Sequence, residues 1–360
     1  MPTFFGATSV PVDGAAATNA TTTITLTPPT SMLNGDLVIV YLTQRGTATF
    51  SVGVTGGQTW TSIGQNVGTT NVALETYWAR YNGTWAANPR FDFSAGTNTT
   101  AVMLVFRPDT STNVWATEQI ATTNAAAAAT ITVTGITPAN PNNVTVANWN
   151  TADDNTWGTL TGTNWTKGTL SAQYRNTAGT DASSTFAYQL QSTAAATNNV
   201  SQTQLTLGND ATAWRRVTWY EYQQQTVDKF ELWNATTNVF VRDLINNDTI
   251  SIGTDVPTLS AVAIRARTTP DDTVGSVRLD LSGSSTQGRT ENTAPYFLYG
   301  DNAGDPDPWL GNAGTHSLTA TAWSASGASG IQGSSLTISF NIDTGFTPVD
   351  PFGMQGFFGL

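Results

Sequence analysis

The sequence contains no cysteine, which excludes disulfide bridges, thiolate nucleophiles and zinc–thiolate sites. Charged residues are scarce as well, since Asp, Glu, Lys and Arg make up 11% of the chain, against about a quarter in an average soluble domain. Only two lysines occur, Lys167 and Lys229, and the formal net charge is −11. We therefore expect no basic stripe of the kind that binds nucleic acid or attracts an anionic membrane surface.

Long apolar runs are also missing. The longest runs, LVIVYL at 37–42 and AVMLVF at 101–106, are far shorter than the roughly 20 residues that a membrane-spanning helix requires. The first ten residues, MPTFFGATSV, contain neither a basic segment nor a long apolar segment, so no signal peptide is predicted. These features predict a soluble protein that has no membrane partner and is not exported by a standard route.

Threonine, alanine, asparagine and glycine take the place of the missing charges. Threonine is β-branched and suits the exposed face of a strand, whereas asparagine and glycine suit turns. The segment LTISFNI at 336–342 alternates apolar and polar side chains, which predicts a half-buried strand. The uniformly apolar segments at 37–42 and 101–106 predict strands that are covered on both faces. The sequence therefore predicts an all-β protein.

A weak repeat runs through the first 222 residues. ITLTPPTSMLNGDLVIVYL at 24–42 aligns with ITVTGITPANPNNVTVANW at 131–149 at an offset of 107 residues, and GQTWTSIG at 57–64 aligns with GTNWTKGT at 162–169. Such a repeat is typical either of two tandem domains or of one sandwich with similar halves. Because no linker separates the halves, we predict one β-sandwich over 1–222 with two quasi-repeated halves.

A boundary follows this first unit. Three consecutive glutamines at 223–225 separate one strand pattern from the next. From there a second predicted unit covers residues 226–343. The last segment, 344–360, has no strand pattern and is rich in Phe, Gly and Pro, so we predict an apolar tail that docks on a partner surface.

The second unit carries several specific motifs, namely GSVRLDL (275–281), RTENTAPY (289–296), GDNAGD (300–305), GTHSLTATAW (314–323) and GASGIQGSSLTISF (327–340). In these motifs it resembles an Ig-like β-sandwich module of bacterial surface proteins and phage structural proteins. The resemblance covers nearly the whole unit. It implies an Ig-like β-sandwich with a structural or adhesive role, and it implies no catalytic residue.

The first unit contains NGDLVIVYLTQRG at 34–46, GQTWTSIG at 57–64 and LETYWARY at 74–81. In these segments it looks like a jelly-roll module found in phage virion proteins and bacterial surface proteins. The two resemblances together imply a jelly-roll-like sandwich followed by an Ig-like sandwich. Again no catalytic residue is implied.

Charge is concentrated in RTENTAPYFLYGD at 289–301, where Arg289, Glu291 and Asp301 lie close together in the sequence. Arg289 and Glu291 are two residues apart, so within a strand they share a face. We predict that the three form ion pairs that hold a long loop against the sheet. The alternative is a carboxylate catalyst, which would require a second, converging carboxylate.

A calcium site is a further hypothesis for the segment GDNAGDPDPW at 300–309. Its oxygen ligands would come from Asp301, Asn302, Asp305 and Asp307. The competing interpretation is a set of Asx turns without metal, because the spacing and the closing glutamate of an EF-hand are missing. His316 is the single histidine of the chain, and we expect it at a strand edge without a metal.

Three tryptophans recur at intervals of eight residues, Trp149, Trp157 and Trp165. Exposed indole faces next to Asp153 and Asp154 would suit a glycan. The competing interpretation, which we favour, places the three indoles in the core of the sandwich.

The tail contains six large apolar side chains among glycines and prolines. We predict that they dock on a neighbouring protein or on another copy of the chain: Phe346, Phe352, Met354, Phe357, Phe358 and Leu360.

Taken together, these features predict a non-enzymatic structural protein of a bacteriophage virion, either a capsid-decorating protein or a fibre or adhesion component. Its expected partners are other virion proteins, copies of itself in a homo-oligomer and a host-surface glycan. We expect no cofactor, with calcium at 300–309 as the alternative. The alternative is a secreted adhesin or carbohydrate-binding protein of a bacterial cell surface. A glycan-degrading enzyme is a third hypothesis, disfavoured because the chain has five glutamates and no paired acid motif.

Overall fold

The computed structural model describes residues 1–12, 16–17, 20–67, 72–125, 128–167, 174–177, 181–205, 212–271 and 273–345. The chain divides into two compact units after Gln223. Apart from one short 3-10 helix at Leu259–Ala261, the regular structure of these residues is β. The prediction of an all-β protein is confirmed. None of the helical structure within the described ranges has the length and apolar character needed to cross a membrane.

The first half of the N-terminal unit forms one large sheet and a smaller one that packs on it. Its strands are β1 (Thr3–Val10), β2 (Ala16–Ala17), β3 (Ala20–Thr25), β4 (Leu37–Arg45), β5 (Phe50–Val54), β6 (Thr61–Ser62), β7 (Asn66–Val67), β8 (Val72–Arg80) and β9 (Arg90–Arg107). In β4 every residue except Arg45 is buried, as expected for a uniformly apolar strand between two layers.

The second half repeats this arrangement. Its strands are β10 (Asn113–Ala125), β11 (Thr130–Val133), β12 (Asn143–Thr151), β13 (Tyr174–Asn176), β14 (Ala182–Gln191), β15 (Val200–Thr203) and β16 (Thr212–Gln223). The large sheet of the first half has the order β1-β9-β4-β8, and that of the second half has the order β10-β16-β12-β14. On the outer side β3 pairs with β9, and β11 pairs with β15 in the same way. The two halves therefore share their strand order.

The two large sheets face each other across a common core, to which Leu37 and Ile39 of β4 and the repeat-equivalent Val144 and Val146 of β12 contribute. The opposite face of each large sheet is covered by the smaller sheet of its own half. The N-terminal unit is therefore built of four β layers with a buried apolar cluster in each of the three spaces between them.

The halves are also tied together by main-chain pairing. The short strand β2 of the first half pairs in parallel with β13 in the sheet of the second half, through Ala16–Arg175 and Ala17–Asn176. Hydrogen bonds between side chains of the two sheets, such as that between Thr100 and Ser184 at 3.0 Å, lie in the same buried space.

The C-terminal unit contains the remaining strands of the described chain. They are β17 (Thr226–Asn234), β18 (Val239–Leu244), β19 (Asp248–Ser251), β20 (Val262–Thr269), β21 (Ser276–Gly283), β22 (Gln287–Glu291), β23 (Tyr296–Phe297), β24 (Asp301–Asn302), β25 (Asp305–Pro306), β26 (Gly314–Ala325) and β27 (Ser329–Asp343).

One layer of this unit has the order β22-β21-β26-β27, with β19 added in parallel to β27, and the other contains β18, β17, β20 and β23. A single pair, Thr226–Ser334, joins β17 to β27. The alternation predicted for 336–342 is confirmed, because Ile338, Phe340 and Ile342 are buried in the core between the layers. The finer resemblances, jelly-roll-like and Ig-like, stay predictions.

Candidate functional site

The side chains of Arg289 and Glu291, two residues apart on β22, lie on the same face of the strand. The Arg289 side chain donates a hydrogen bond to the Glu291 carboxylate. Gly300, which has a φ of +102°, lies directly against the Arg289 guanidinium, so that a Cβ at this position would clash with it. Asp301 belongs to a separate turn, where its carboxylate accepts a hydrogen bond of 2.6 Å from the Gly304 N–H. The structure therefore places the Arg289–Glu291 pair against the loop and leaves Asp301 outside that pair.

The four residues of the calcium hypothesis lie in and next to a tight hairpin. Asn302 of β24 pairs with Asp305 of β25, and the two residues between them, Ala303 and Gly304, have φ values of +54° and +91°. Positive φ at both positions is typical of the type I′ turn that closes two-residue hairpins. The Asp301 carboxylate caps this turn, as the Asx-turn interpretation expects. Asp307 follows β25, and its N–H donates to the Gly300 carbonyl. The calcium site stays a prediction.

The three tryptophans at intervals of eight residues are all buried, with exposed fractions of 0% for Trp149, 2% for Trp157 and 7% for Trp165. They pack in the cluster between the two sheets of the second half. The Trp149 Nε1–H donates to the Ile131 carbonyl at 3.2 Å, and the Trp165 Nε1–H donates to the Asn198 carbonyl at 3.0 Å. These indoles fill the core, and they offer no exposed face on which a sugar ring stacks.

The tail residues predicted to dock, Phe346, Phe352, Met354, Phe357, Phe358 and Leu360, lie outside the described residues.

Within the described ranges, one group of three carboxylates has oxygens close enough to share a cation: Asp153, Asp154 and Asp181, with oxygen atoms within 4.8 Å of one another. Arg45 Nη1 lies 3.4 Å from the Asp181 carboxylate and balances part of this charge. Hard oxygen ligands of this kind suit Ca²⁺. The sequence shows only the Asp153–Asp154 pair, because Asp181 reaches the group through the fold.

A second charged contact is buried between the halves of the N-terminal unit. Arg215 of β16 is 2% exposed, and its Nη1 lies 3.9 Å from the Glu75 carboxylate of β8. Its Nη2 donates to the Gly64 carbonyl, and the Gly64 N–H donates to Glu75 at 3.1 Å. Burial raises the pKa of Glu75, against the smaller lowering effects of the Thr76 N–H and of Arg215. Burial also lowers the pKa of Arg215. The pair ties the two halves together.

An open groove, which we call the Tyr299 groove, lies on the C-terminal unit. Three segments form it: the β21–β22 turn at 283–287, Tyr299 after β23, and residues 310–312 before β26. Two glycines allow these segments to approach each other, because a Cβ on Gly283 would clash with the Thr315 carbonyl and a Cβ on Gly314 with the Ser284 hydroxyl. Both have positive φ values, +106° and +113°, which glycine adopts without strain.

Hydrogen bonds hold the walls of the groove in place. The Asn312 N–H donates to the Ser285 hydroxyl at 2.6 Å, and the Asn312 side-chain amide donates to the Ser284 carbonyl at 3.1 Å. The Ser284 N–H in turn donates to the Thr315 carbonyl at 2.9 Å. The two loops that line the groove are therefore fixed to each other and to β26.

A column of aromatic rings supports the groove from below. Tyr299 packs edge-on against Trp309, with a centroid separation of 5.2 Å. Trp309 in turn packs edge-on against His316 at 5.3 Å, and His316 stacks on Phe340 of the core at 5.3 Å. Burial raises the pKa of Tyr299, so that its hydroxyl remains protonated at neutral pH. Burial lowers the pKa of His316, against a hydrogen bond with the Asn312 carbonyl that acts in the opposite direction. A neutral histidine thus forms part of the support.

Sequence reasoning missed the Tyr299 groove. Its three segments are separated along the chain, and no motif marks them as a site. The signal available in the sequence was the set of glycines around the two loops, Gly283, Gly311 and Gly314, since glycine is required where backbones approach closely.

Comparison of the chain with protein-family models and with curated proteins finds no match. The Ig-like and jelly-roll resemblances rest on the sequence motifs alone and stay predictions.

Proposed function

We propose that this chain is a non-enzymatic structural protein of a bacteriophage virion, acting as a capsid-decorating protein or as a fibre or adhesion component. The observation that carries the proposal is the construction of the N-terminal unit, in which two halves of equal strand order enclose buried clusters in all three interlayer spaces. Dense packing of this kind gives a stiff body, which suits a protein that acts through its outer surface and strand edges.

Exposed apolar side chains on the C-terminal unit support a role in contacts with other proteins. Val239 and Phe240 at the start of β18 are 55% and 44% exposed, and Ile245, just after the same strand, is 68% exposed. β18 pairs with β17, and exposed apolar strands near a sheet edge are typical contact sites. In the proposal these residues contact other virion proteins or further copies of the chain.

The apolar tail contributes to the same assembly. Burial of its six large side chains gains roughly 9–18 kcal/mol at about 1.5–3 kcal/mol each, while ordering some fifteen residues costs about 20 kcal/mol at roughly 1.5 kcal/mol each. A single tail therefore docks weakly. Many copies that dock together on a homo-oligomeric particle bind firmly through avidity.

The proposal is tested on purified particles. Antibodies against the recombinant full-length chain are expected to label the particle surface in immunogold electron microscopy, and mass spectrometry of the same particles is expected to detect the chain in many copies. Particles that lack the chain, together with its recovery from a bacterial cell-surface fraction, would replace the virion proposal with the secreted adhesin. Turnover of a polysaccharide by the purified chain would contradict its non-enzymatic character.

A further inference from the structure

We propose that the Tyr299 groove binds a neutral carbohydrate chain. The inference deepens the proposed function and rests on it for the source of the ligand, since an adhesive virion component meets glycans on the host surface. The groove has a volume of about 540 Å³, which lies within the usual range of small-ligand sites, about 300–1,000 Å³. It is wide open to solvent along one side, as a chain-like ligand requires.

The charge of the lining identifies the class of ligand. The protein has a net charge of −11, yet the residues that line this groove are all uncharged, with serine, threonine, glutamine, asparagine and tyrosine supplying the polar groups. An anionic ligand would be expected to meet arginine or lysine here, and a cationic ligand would be expected to meet carboxylates. Hydroxyl and amide groups instead match the hydroxyls of a neutral sugar, which both donate and accept hydrogen bonds.

Several of these polar groups are available to a ligand. Among the described residues, the Tyr299 hydroxyl and the Gln287 side-chain amide have no hydrogen-bond partner within the protein. Tyr299 and Gln287 are half-buried, and the Tyr299 ring is held by its packing on Trp309. A ligand that pairs with them therefore gains hydrogen bonds without breaking hydrogen bonds within the protein, and at Tyr299 it does so with little loss of side-chain freedom.

The groove also offers apolar surface to a sugar ring. The Tyr299 ring forms one wall, and Leu310, which is 79% exposed, extends beside it. Sugar rings carry C–H faces as well as hydroxyls, so a site that combines an aromatic ring with amide and hydroxyl groups suits them. The column of rings beneath Tyr299 keeps that ring in place when the groove is empty or filled.

The test is a titration of the purified full-length chain with neutral oligosaccharides, namely maltohexaose, cellohexaose, chitohexaose and mannohexaose, and with hexagalacturonate as the acidic comparison. Saturation-transfer NMR and calorimetry measure binding. At least one neutral oligosaccharide is expected to bind with a Kd of about 1 mM or tighter, as a site with a few hydrogen bonds and one aromatic wall allows. Hexagalacturonate is expected to bind at least tenfold more weakly.

The variants Tyr299→Phe and Gln287→Ala are each expected to weaken binding by about three- to tenfold, the effect of losing one hydrogen bond. Tyr299→Phe retains the ring that packs on Trp309 and so preserves the fold. Thr286→Ala is a second variant of the same lining, to be used if Gln287→Ala fails to fold. Leu205→Ala, which removes a 63% exposed leucine from the N-terminal unit, is the control and is expected to change nothing.

Absence of binding to all four neutral oligosaccharides would overturn the inference, and so would binding that these groove variants leave unchanged or a preference for hexagalacturonate. None of these outcomes affects immunogold labelling of the particle. Conversely, particles without the chain would contradict the proposed function and leave the titration result intact.

Discussion

Thr43 and Asn150 are 107 residues apart in the chain, and the Thr43 hydroxyl donates a hydrogen bond to the Asn150 side-chain oxygen. This separation equals the offset of the sequence repeat, so repeat-equivalent positions touch each other. Arg45 and the Ala152 carbonyl, also 107 residues apart, form a second contact of this kind. Equivalent positions meet in this way where two similar bodies face each other about an approximate two-fold axis. The sequence repeat therefore corresponds to contacts between equivalent positions of the two halves of the N-terminal unit.

Removal of the buried cation between the halves tests how strongly they are held together. Arg215→Ala is expected to lower the free energy of unfolding of the N-terminal unit by about 3–5 kcal/mol, because it leaves Glu75 buried without its partner. Urea denaturation followed by tryptophan fluorescence measures the change. Arg278→Ala, which breaks the exposed pair with Asp280, is the control and is expected to cost at most about 1 kcal/mol.

The single histidine makes the stability of the C-terminal unit depend on pH. Burial lowers the pKa of His316 below its ordinary value of 6.5, so the unfolded chain binds the proton more tightly than the folded chain. The stability contributed by neutral His316 is fully present above pH 6.5 and is lost as the pH falls through the lowered pKa. NMR titration of the imidazole is expected to give a midpoint below 6.5.

In denaturation experiments, stability is expected to fall below pH 6.5 by at most about 1.4 kcal/mol per pH unit. His316→Phe keeps an aromatic ring on Phe340 and removes the titrating group, so the slope between pH 5.5 and 7 is expected to flatten. An unchanged slope in this variant, or a midpoint above 6.5, would contradict the assignment.

Substitution of a core tryptophan separates the two interpretations of the tryptophan series. Trp149→Ala is expected to destabilise the N-terminal unit by about 3–5 kcal/mol, since the fully buried indole leaves a large cavity. Trp60→Ala, at a half-buried position in the first half, is expected to cost less. A Trp149→Ala protein of unchanged stability that loses affinity for a glycan would support the surface interpretation instead.

Alanine substitution at two glycines with similar backbone conformations, Gly300 and Gly304, tests the contact between Arg289 and its loop. Gly300 and Gly304 have φ values of +102° and +91°, and only at Gly300 would a Cβ meet another residue, the Arg289 guanidinium. Both alanine variants lose about 1–2 kcal/mol through backbone strain. Gly300→Ala is expected to lose up to about 1 kcal/mol more, because the flexible Arg289 side chain must move aside and its ion pair with Glu291 is weakened, as measured by urea denaturation.

The cause of the excess loss of stability in Gly300→Ala, relative to Gly304→Ala, can be tested directly. In the double variant Gly300→Ala, Arg289→Ala the excess is expected to disappear, because the clashing side chain is gone. Glu291→Ala, which removes the carboxylate partner of Arg289, is expected to lower the melting temperature of the C-terminal unit. Additive losses in the double variant would show that Arg289 is not the obstacle.

The central strands were predictable because their patterns depend only on local sequence. LVIVYL at 37–42 is apolar throughout and is buried throughout, and LTISFNI at 336–342 alternates as its sequence does. The position of the tryptophans was less certain from sequence. A spacing of eight residues fits either a core or a surface, and the decision comes from the β11–β15 layer that covers Trp149.

The contact between Glu75 and Arg215 and the Tyr299 groove were not predictable, for a different reason. Glu75 and Arg215 are distant in sequence, and sequence pattern carries no information about which strands of two facing sheets approach each other. The groove likewise depends on the meeting of three separate loops. Its polar residues are ordinary turn residues when each loop is considered alone.

The pairing of β2 with β13 has a consequence for synthesis of the protein. Residues 16–17 of the nascent chain cannot complete their sheet until residues 174–176 have left the ribosome. At about 5–20 residues per second this delay lasts roughly 8–30 seconds. During that interval the apolar inner face of the first large sheet, with Leu37 and Ile39, has no partner. The nascent N-terminal half therefore exposes this apolar face to solvent until the facing sheet of the second half is synthesised.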